Sequence, residues 1–480
     1  MINLKFISLS ARQEWNSVFR SKAPLVLYFI LLVMSVLATY TGWQYVSSFN
    51  ERQAIARQEV HEHWMNQPDR HPHRVAHYGY LVFRKKSSLS FFDFGLDSYV
   101  GNSVFLEAHR QNTVNMSEAG FSNGMLRFGE LSMALVLQLL VPLFIIFTGF
   151  HTVAGLKQNG VLKILLCQRA TYFELLAGKT LGLAAITWVL FLPLLLLSLL
   201  LGISTLPASD GSGLPVRIGL LLLSYGLYFL ILSLVVVAVS AISKTAKNAL
   251  MLLVMVWMLL FIVLPKSAQT LGNNLYEAPD KISFEQALEK DISQEGDSHN
   301  PNDPHYTQLK INTLKKYGVD SVQQLPVNYG ALVMQEGENI TSRIFTTHYN
   351  RLIQTYKAQN SIAELLGFMD PYLAVRNVSM VLCGVDFETF SEFQRQTEKY
   401  RFEKTRTLNE IHATQISYQN DRNQKVSQAT WQKQPEFQFK PVGLDESLRN
   451  GAFGFASLLA WLLGSGLLLR YISSKPQFMV

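Results

Sequence analysis

Long apolar blocks alternate with polar segments along the chain. Six blocks contain no Asp, Glu, Lys or Arg: 24–43, 131–154, 180–206, 218–242, 249–265 and 452–469. A helix needs about 20 mostly apolar residues to cross a hydrocarbon core of about 30 Å, and its backbone groups must bond within the helix. The pattern therefore predicts six transmembrane helices, the fifth ending at Pro265. The first is predicted to stay as an anchor, because a long polar and amphipathic stretch precedes it and no small-residue cleavage site follows.

The basic residues predict the orientation of these helices. Lys and Arg gather before the first block, between the second and third, between the fourth and fifth, and after the sixth. By the positive-inside rule that side is cytoplasmic, so we expect both termini in the cytoplasm and the chain in a bacterial inner membrane. The predicted segments are an interfacial helix at 1–22, spans at 23–43, 131–154, 180–206, 218–242, 249–265 and 451–470, inner segments at 155–179, 243–248 and 471–480, and outer segments at 44–130, 207–217 and 266–450.

The residues before the first span predict an amphipathic helix on the inner leaflet. Leu4, Ile7, Ala11, Trp15 and Val18 recur at helical spacing, and polar residues take the other face. Arg12, Trp15 and Arg20 are the side chains expected in the headgroup layer. The alternative is a frayed tail beside the membrane.

The two long outer segments predict a composite, largely helical domain. A helix around 50–65 should continue from the first span, and the aromatic stretch 91–99 is typical of irregular or short-strand structure. Apolar stripes predict one long helix carrying Ile340 to Tyr356 and a second at about 386–415. Each should bury its stripe against the other or against the first outer segment.

Composition narrows the class of protein. With 49% hydrophobic and 16% charged residues, the chain is too apolar for an ordinary soluble domain. The net charge of +7 is explained by basic residues at helix ends, and no nucleic-acid motif accompanies them. Cys167 and Cys383 are predicted on opposite faces of the membrane, so a disulfide could form only between chains.

The predicted inner loop at 155–179 carries a recognisable pattern. Gly160, Leu162 and Lys163 precede Leu165-Leu166, and Gly178-Lys179 leads into the third span. This resembles the type 2 ABC transporter permeases, whose loop typically reads Glu-Arg-Glu-x-Gly-Thr-Leu-Arg, then Leu-Leu, then Gly-Lys. Leu156, Gln158 and Val161 depart from that pattern, and the missing acidic pair suggests a sister permease that keeps the carboxylates.

The resemblance extends into the outer segments, where it is to a subgroup of these permeases known mainly by a domain of unknown function. The matching motifs include Phe92-Asp93, Gly95-Leu96-Asp97, Leu325-Pro326-Val327-Asn328 and Gly384-Val385-Asp386. It implies a mainly α fold: a six-helix transmembrane permease with an N-terminal amphipathic interfacial helix and a largely helical composite extracytoplasmic domain.

The resemblance also implies partners and a mechanism. In that family the loop docks on a separate ATPase, so the expected ATPase-coupling residues are Gly160, Leu162, Lys163, Arg169, Gly178 and Lys179. ATP and magnesium would bind the ATPase subunits, and a second permease copy or a sister permease would complete a dimer in the lipid bilayer. The predicted function is the permease subunit of an ATP-driven exporter of unidentified substrate. The alternatives are a mechanotransmission complex acting on outer partners without transport, and a membrane-anchored binding or sensor protein.

No catalytic chemistry is expected in this chain. Gly178-Lys179-Thr180 is similar to the end of a phosphate-binding loop, but Phe173 stands where the first glycine is required. The chain is therefore predicted to be a non-catalytic subunit.

Histidines are concentrated outside the predicted membrane. His61, His63, His71, His73 and His77 lie within 17 residues. Imidazole is a common ligand for zinc and copper, so an extracytoplasmic metal site is one hypothesis. The other is that the His-Pro-His motif is structural and that His61 and His63 are incidental.

Overall fold

The computed structural model describes residues 3–112, 131–168, 170–204, 213–296, 300 and 302–479. Within them the helices are α1 (Leu4–Arg20), α2 (Lys22–Met65), α3 (Pro72–Ala76), α4 (Met133–Gln158), α5 (Val161–Leu166), α6 (Tyr172–Ser204), α7 (Leu214–Ile242), α8 (Ala246–Leu275), α9 (Lys281–Glu295), α10 (Pro304–Tyr317), α11 (Tyr329–Leu366), α12 (Pro371–Cys383), α13 (Phe387–Gln415), α14 (Leu444–Asn450) and α15 (Ala452–Ser473). Strands β1 (Tyr80–Phe83) and β2 (Ser103–Leu106) form an antiparallel pair with Tyr80 opposite Leu106.

Six helices are long and apolar enough to cross a membrane: α2, α4, α6, α7, α8 and α15. The predicted mainly α membrane fold with six spans is confirmed. Burial separates a centre from a periphery, because 67% of the apolar window of α4 and 61% of that of α7 are buried, against 17% for α2 and 22% for α8. The peripheral helices expose apolar side chains such as Phe29 and Leu467, as lipid-facing helices must.

In two of these helices a π-helical segment accommodates a proline. The π-helical segments Val136–Leu140 and Leu259–Val263 come directly before the turns that hold Pro142 and Pro265. Proline lacks an N–H and its ring crowds the carbonyl one turn earlier, and a wider turn relieves both problems. The prediction that Pro265 ends the fifth helix is therefore wrong, since α8 continues to Leu275.

The end of the bundle that holds α1 is defined by several contacts. The Asn3 N–H donates to Glu174 at the start of α6, and the Ala246 N–H of α8 donates to Gln158 at the end of α4. Arg470 of α15 lies over the ring of Phe173. We call this end of the bundle the α1 end.

The opposite end carries a polar domain built from both predicted outer segments, residues 44–112 and 266–450. Its core surrounds Trp64, Val75, Phe393, Leu408 and Trp431, all of which are buried. The two predicted long helices are present as α11 and α13; they pack on each other, and α13 also packs on α3 of the first outer segment. That packing prediction is confirmed.

One part of the polar domain enters the bundle. The Gly367 carbonyl accepts a hydrogen bond from Trp461 Nε1 at 3.1 Å. Trp461 lies nine residues after the first residue of α15, which is about 14 Å along a helix. From there α12 returns between α7 and α15, with Val378 packed against Gly454. The turn at 367–370 is therefore the tip of a re-entrant hairpin formed by the end of α11 and by α12.

Candidate functional site

Helix α1 lies against the first turns of α6 because two glycines leave room for it. A Cβ at Gly178 would stand 2.5 Å from Ser10 Cβ, and one at Gly182 would stand 2.8 Å from the Ala11 carbonyl. The Gly-x-x-x-Gly spacing places both on one helix face, where small residues allow close backbone approach. The Gly-Lys pair of the sequence motif thus lies beneath α1.

A buried ion pair stabilises the same contact between α1 and α6. Lys179 Nζ lies 2.7 Å from Glu14 Oε2, and the two side chains are 3% and 2% exposed. The Thr152 hydroxyl of α4 donates to the same carboxylate oxygen at 2.7 Å. Since breaking one partner of a buried pair costs about 3–5 kcal/mol, this contact joins α1, α4 and α6 firmly.

The outer face of α1 carries the residues predicted to meet the headgroup layer. Arg12 and Arg20 are exposed, and Trp15 is half-buried with its ring 4.8 Å from that of Phe19. Arg12 and Arg20 lie on the polar face of α1, which α6 does not cover. The headgroup contact itself stays a prediction.

Beside α1, the chain forms an elbow of two short helical segments, the last segment of α4 (Ala154–Gln158) and α5. Gly160 joins them with a φ of 73°, a left-handed conformation that glycine adopts without strain. Leu162 is buried under the elbow, while Lys163 is exposed beside Val161 and Ile164, which are 37% and 61% exposed. The elbow therefore presents a small apolar tip with a positive charge.

The elbow is fixed to the neighbouring helices at its base. The Ser240 hydroxyl of α7 accepts from the Val153 and Ala154 N–H groups at 3.1 and 3.0 Å. Lys157 Nζ donates to the Ala241 carbonyl, also in α7. A force on the elbow would therefore reach α4 and α7 together.

The predicted coupling residues thus fall into two groups. Gly160, Leu162 and Lys163 form the elbow, whereas Gly178 and Lys179 contact α1 and can act on a partner only through it. Arg169 lies outside the described residues. The assignment of all six to ATPase coupling stays a prediction.

In the polar domain, the five histidines predicted as metal ligands do not form one cluster. His63 is exposed on α2, and His61 pairs with Glu436. His71 caps α3, with its Nδ1 accepting from the His73 N–H at 3.2 Å. His73 lies on α3 and His77 directly follows it, and both contact His109, which follows β2.

His73, His77 and His109 form the cluster that we call the three-histidine cluster. Their ligand nitrogens lie within 4.8 Å of one another, and the ring centroids are 4.6 to 5.6 Å apart. Burial, followed by the neighbouring His77 and His109, lowers the pKa of His73 to about 4. His73 is therefore neutral at neutral pH, the form that can coordinate a metal.

The buried carboxylate of Glu338 contacts His109 of this cluster. Glu338 of α11 is fully buried, accepts the His109 N–H at 3.0 Å, and lies 3.5 Å from His109 Nδ1. Its other oxygen lies 2.5 Å from Arg401 of α13. Burial alone would raise the pKa of Glu338, but the hydrogen bond from His109 and the charge of Arg401 outweigh it and lower the pKa to about 2.

His71 belongs to a second group with His412 and Asp421. His412 Nε2 lies 2.6 Å from Asp421 Oδ1, which also accepts from Asn328 at 2.7 Å, and His71 Nε2 lies 3.5 Å away. The carboxylate oxygen is already engaged by these donors. This group links the first outer segment to the second through hydrogen bonds and ion pairs. That role agrees with the structural interpretation of the His-Pro-His motif.

A buried chain of hydrogen bonds joins the start of α4 to the polar domain. Gln138 Nε2 donates to the Tyr225 hydroxyl at 2.8 Å, that hydroxyl donates to Ser379 Oγ at 3.1 Å, and Ser379 Oγ donates to Asp93 at 2.5 Å. The chain runs from α4 through α7 to the re-entrant hairpin and the polar domain. Gln138 and Tyr225 are thus occupied by packing contacts between helices.

Sequence reasoning missed His109 and Glu338. His109 lies 32 residues after His77, and Glu338 lies 229 residues after His109, so no local spacing joins them. The Gly178-x-x-x-Gly182 spacing was visible in the sequence and is the signal that could have placed α1 on α6.

Comparison with known families matches part of the chain. Residues 281–440, a third of the chain, match the family described as a domain of unknown function (DUF3526). This segment supplies Glu338, Arg401, His412 and Asp421, whereas the three-histidine cluster lies before it. A search of curated proteins gives no match.

Proposed function

We propose that this chain is the membrane subunit of an ATP-driven ABC exporter, with separate ATPase subunits that dock on the elbow. The observation that carries the proposal is the elbow itself, two short helices joined at Gly160 and exposing Val161 and Ile164 at the α1 end. An exposed apolar tip flanked by Lys163 is suited to a groove on a partner protein. In this proposal the α1 end is cytoplasmic and two permease chains form a dimer.

The contacts at the elbow give the ATPase a way to move the helices. Ser240 and Lys157 tie the elbow to α7, and the Glu14–Lys179 pair ties α1 to α6. A displacement of the elbow by closing ATPases would shift α4, α6 and α7 as one body. Export follows if that shift changes which side of the membrane the helices open to.

A second function, mechanotransmission without transport, is favoured by the connections to the polar domain. Helix α2 runs unbroken for 44 residues, about 66 Å, from the α1 end into that domain. Gly272 of α8 packs against the Gln359 backbone of α11, where a Cβ would lie 2.9 Å from the carbonyl oxygen. Arg217 of α7 donates to the Val381 and Leu382 carbonyls of α12. Helix movement would therefore move the polar domain.

Native Cys167 offers a direct test, because it is exposed at the end of α5 and Cys383 is buried. A maleimide-benzophenone reagent attached to Cys167 in native membranes is irradiated, and the cross-linked chain is identified by mass spectrometry. The proposal predicts a chain with an ATP-binding cassette. The matched control is Cys167→Ser with Ser283→Cys on exposed α9, which should give no ATPase adduct.

Two results would contradict the proposal. One is efficient cross-linking from Cys167 to a chain without an ATP-binding cassette. The other is an ATPase adduct formed equally from position 283. Reconstitution with the identified ATPase then separates the two functions, since an exporter depletes substrate from one compartment and a mechanotransmitter hydrolyses ATP without moving any.

A further inference from the structure

The ring nitrogens of the three-histidine cluster make few hydrogen bonds within the described part of the protein. Within the part of the chain that the structure describes, His73 Nδ1 and His109 Nε2 are buried and have no hydrogen-bond partner. An unpaired buried polar group costs about 1–3 kcal/mol, and the cluster contains two of them. A bound cation would offset both costs.

The spacing of the nitrogens suits coordination after a small adjustment. The three ligand atoms lie within 4.8 Å of one another. Three nitrogens bound tetrahedrally to one zinc ion at about 2.0–2.1 Å would be about 3.4 Å apart. His77 is exposed, so its side chain can rotate by the required ångström without disturbing the core.

The surroundings of His109 match those of a metal ligand. Glu338 binds the backbone N–H of His109 and faces its Nδ1, which leaves Nε2 directed into the cluster. Metal-binding histidines commonly donate their other ring nitrogen to a carboxylate, which fixes the ring and its tautomer. Arg401 holds that carboxylate in place in turn.

The backbone at His109 is a separate sign of a fixed position. His109 has a φ of 62°, in the left-handed region that glycine favours. A non-glycine residue there costs about 1–2 kcal/mol, and a glycine at this turn would relieve that cost. The imidazole is therefore held where it is at the expense of backbone strain.

We propose that His73, His77 and His109 bind one divalent transition-metal ion, with zinc as the expected ion. Three imidazole nitrogens suit zinc, copper or nickel better than magnesium or calcium, which prefer oxygen ligands. The three histidines line a cavity of about 490 Å³ together with Glu289, Tyr306 and Ile340. All three histidines lie in the first outer segment, and Glu338 of the DUF3526 segment contacts His109.

The test uses the full-length protein, purified in detergent and stripped with a chelator. Zinc chloride is titrated by calorimetry, and we expect one ion per chain. His77→Ala should weaken zinc binding by at least about 100-fold, since loss of even an outer-shell partner typically costs 10–100-fold. His63→Ala removes an exposed histidine from the preceding helix and should leave binding unchanged.

His109→Gly separates metal binding from folding. It removes the imidazole and its contact with Glu338 but supplies the residue that this backbone conformation favours, so the thermal midpoint without metal should fall no further than that of Glu338→Gln, which loses the same contact. Zinc binding should be lost, and the cobalt(II) absorption bands of the wild-type protein should disappear. Unchanged zinc affinity in His77→Ala and His109→Gly, or loss of the ion only in His412→Ala, would overturn the proposal.

Discussion

Replacing Glu14 with glutamine removes the charge that faces Lys179 in the contact between α1 and α6. The Lys179 ammonium, which is 3% exposed, then keeps only neutral acceptors such as Gln13 Oε1 at 3.3 Å. Leaving one charge of a buried pair without its partner costs about 3–5 kcal/mol. Glu14→Gln should therefore weaken the docking of α1 by about 3 kcal/mol.

The reverse substitution has the same consequence. Lys179→Met leaves the Glu14 carboxylate with the Thr152 hydroxyl as its remaining donor. The double variant replaces both charges with neutral groups and should recover most of the loss, since a buried ion pair is often no more stable than neutral residues of similar size. If each single variant costs about 3 kcal/mol and the double variant about 1 kcal/mol, the double-mutant cycle should give a coupling energy of about 5 kcal/mol.

Hydrogen exchange measured by mass spectrometry reports this energy locally. If α1 leaves α6 as a unit, its amides exchange at a rate set by that opening. A loss of about 3 kcal/mol makes exchange over residues 4–20 about 100-fold faster in each single variant. Exchange in the core of α7 should be unchanged, which distinguishes undocking of α1 from general unfolding.

The matched control is a cycle on Lys281 and Glu285, an exposed pair on α9 at 3.8 Å. Exposed pairs contribute about 0–1 kcal/mol, so that cycle should give almost no coupling. If the Glu14–Lys179 cycle gives a coupling as small as this control, the buried pair does not hold α1 and the reasoning is refuted.

Three further predictions concern other contacts. Gly178→Ala should destabilise the protein by about 1–3 kcal/mol, because the new methyl group overlaps Ser10, whereas Gly464→Ala meets nothing within 4 Å and should not; thermal unfolding in detergent compares the two. The pKa of Glu338 is lowered from 4.5 to about 2, so its ionised form stabilises the fold above pH 4.5 by about 3 kcal/mol and loses this effect as pH falls toward 2. The difference in thermal midpoint between wild type and Glu338→Gln should therefore shrink between pH 6 and pH 3, and a constant difference would count against this explanation. Arg217→Met leaves three backbone carbonyls without their charged donor and should cost about 2–4 kcal/mol, seen as faster hydrogen exchange in α12; exchange as slow as in wild type would show that these bonds do not hold the hairpin.

The six spans could be predicted from the sequence because the need to bury apolar surface and to bond the backbone in lipid acts within each segment. The stripes of α11 and α13 were readable for the same reason, since a helix that packs on one side repeats its apolar residues locally. The re-entrant hairpin was not predicted. Residues 371–383 are mostly apolar, but 13 residues are too few to cross a bilayer and fit a soluble helix equally well.

The candidate sites depend on contacts between distant parts of the chain. Gly178 could be recognised as part of a motif, but its contact with Ser10 depends on how α1 folds back. The histidines of α3 were visible as a group, yet His71 is used as a helix cap and His109 takes its place in the cluster. Such exchanges are decided by tertiary packing, which single-sequence spacing does not encode.

The proposed contact with an ATPase requires the elbow to be exposed on the cytoplasmic side of the membrane. Cys167 is exposed on α5 and Cys383 is buried, so a membrane-impermeant maleimide should react with one native cysteine. We expect that intact spheroplasts leave Cys167 unlabelled, that inside-out vesicles label it, and that Ser283→Cys in a Cys167→Ser background shows the opposite pattern. Labelling of Cys167 in intact spheroplasts would place the elbow outside the cell and contradict the proposed contact with an ATPase.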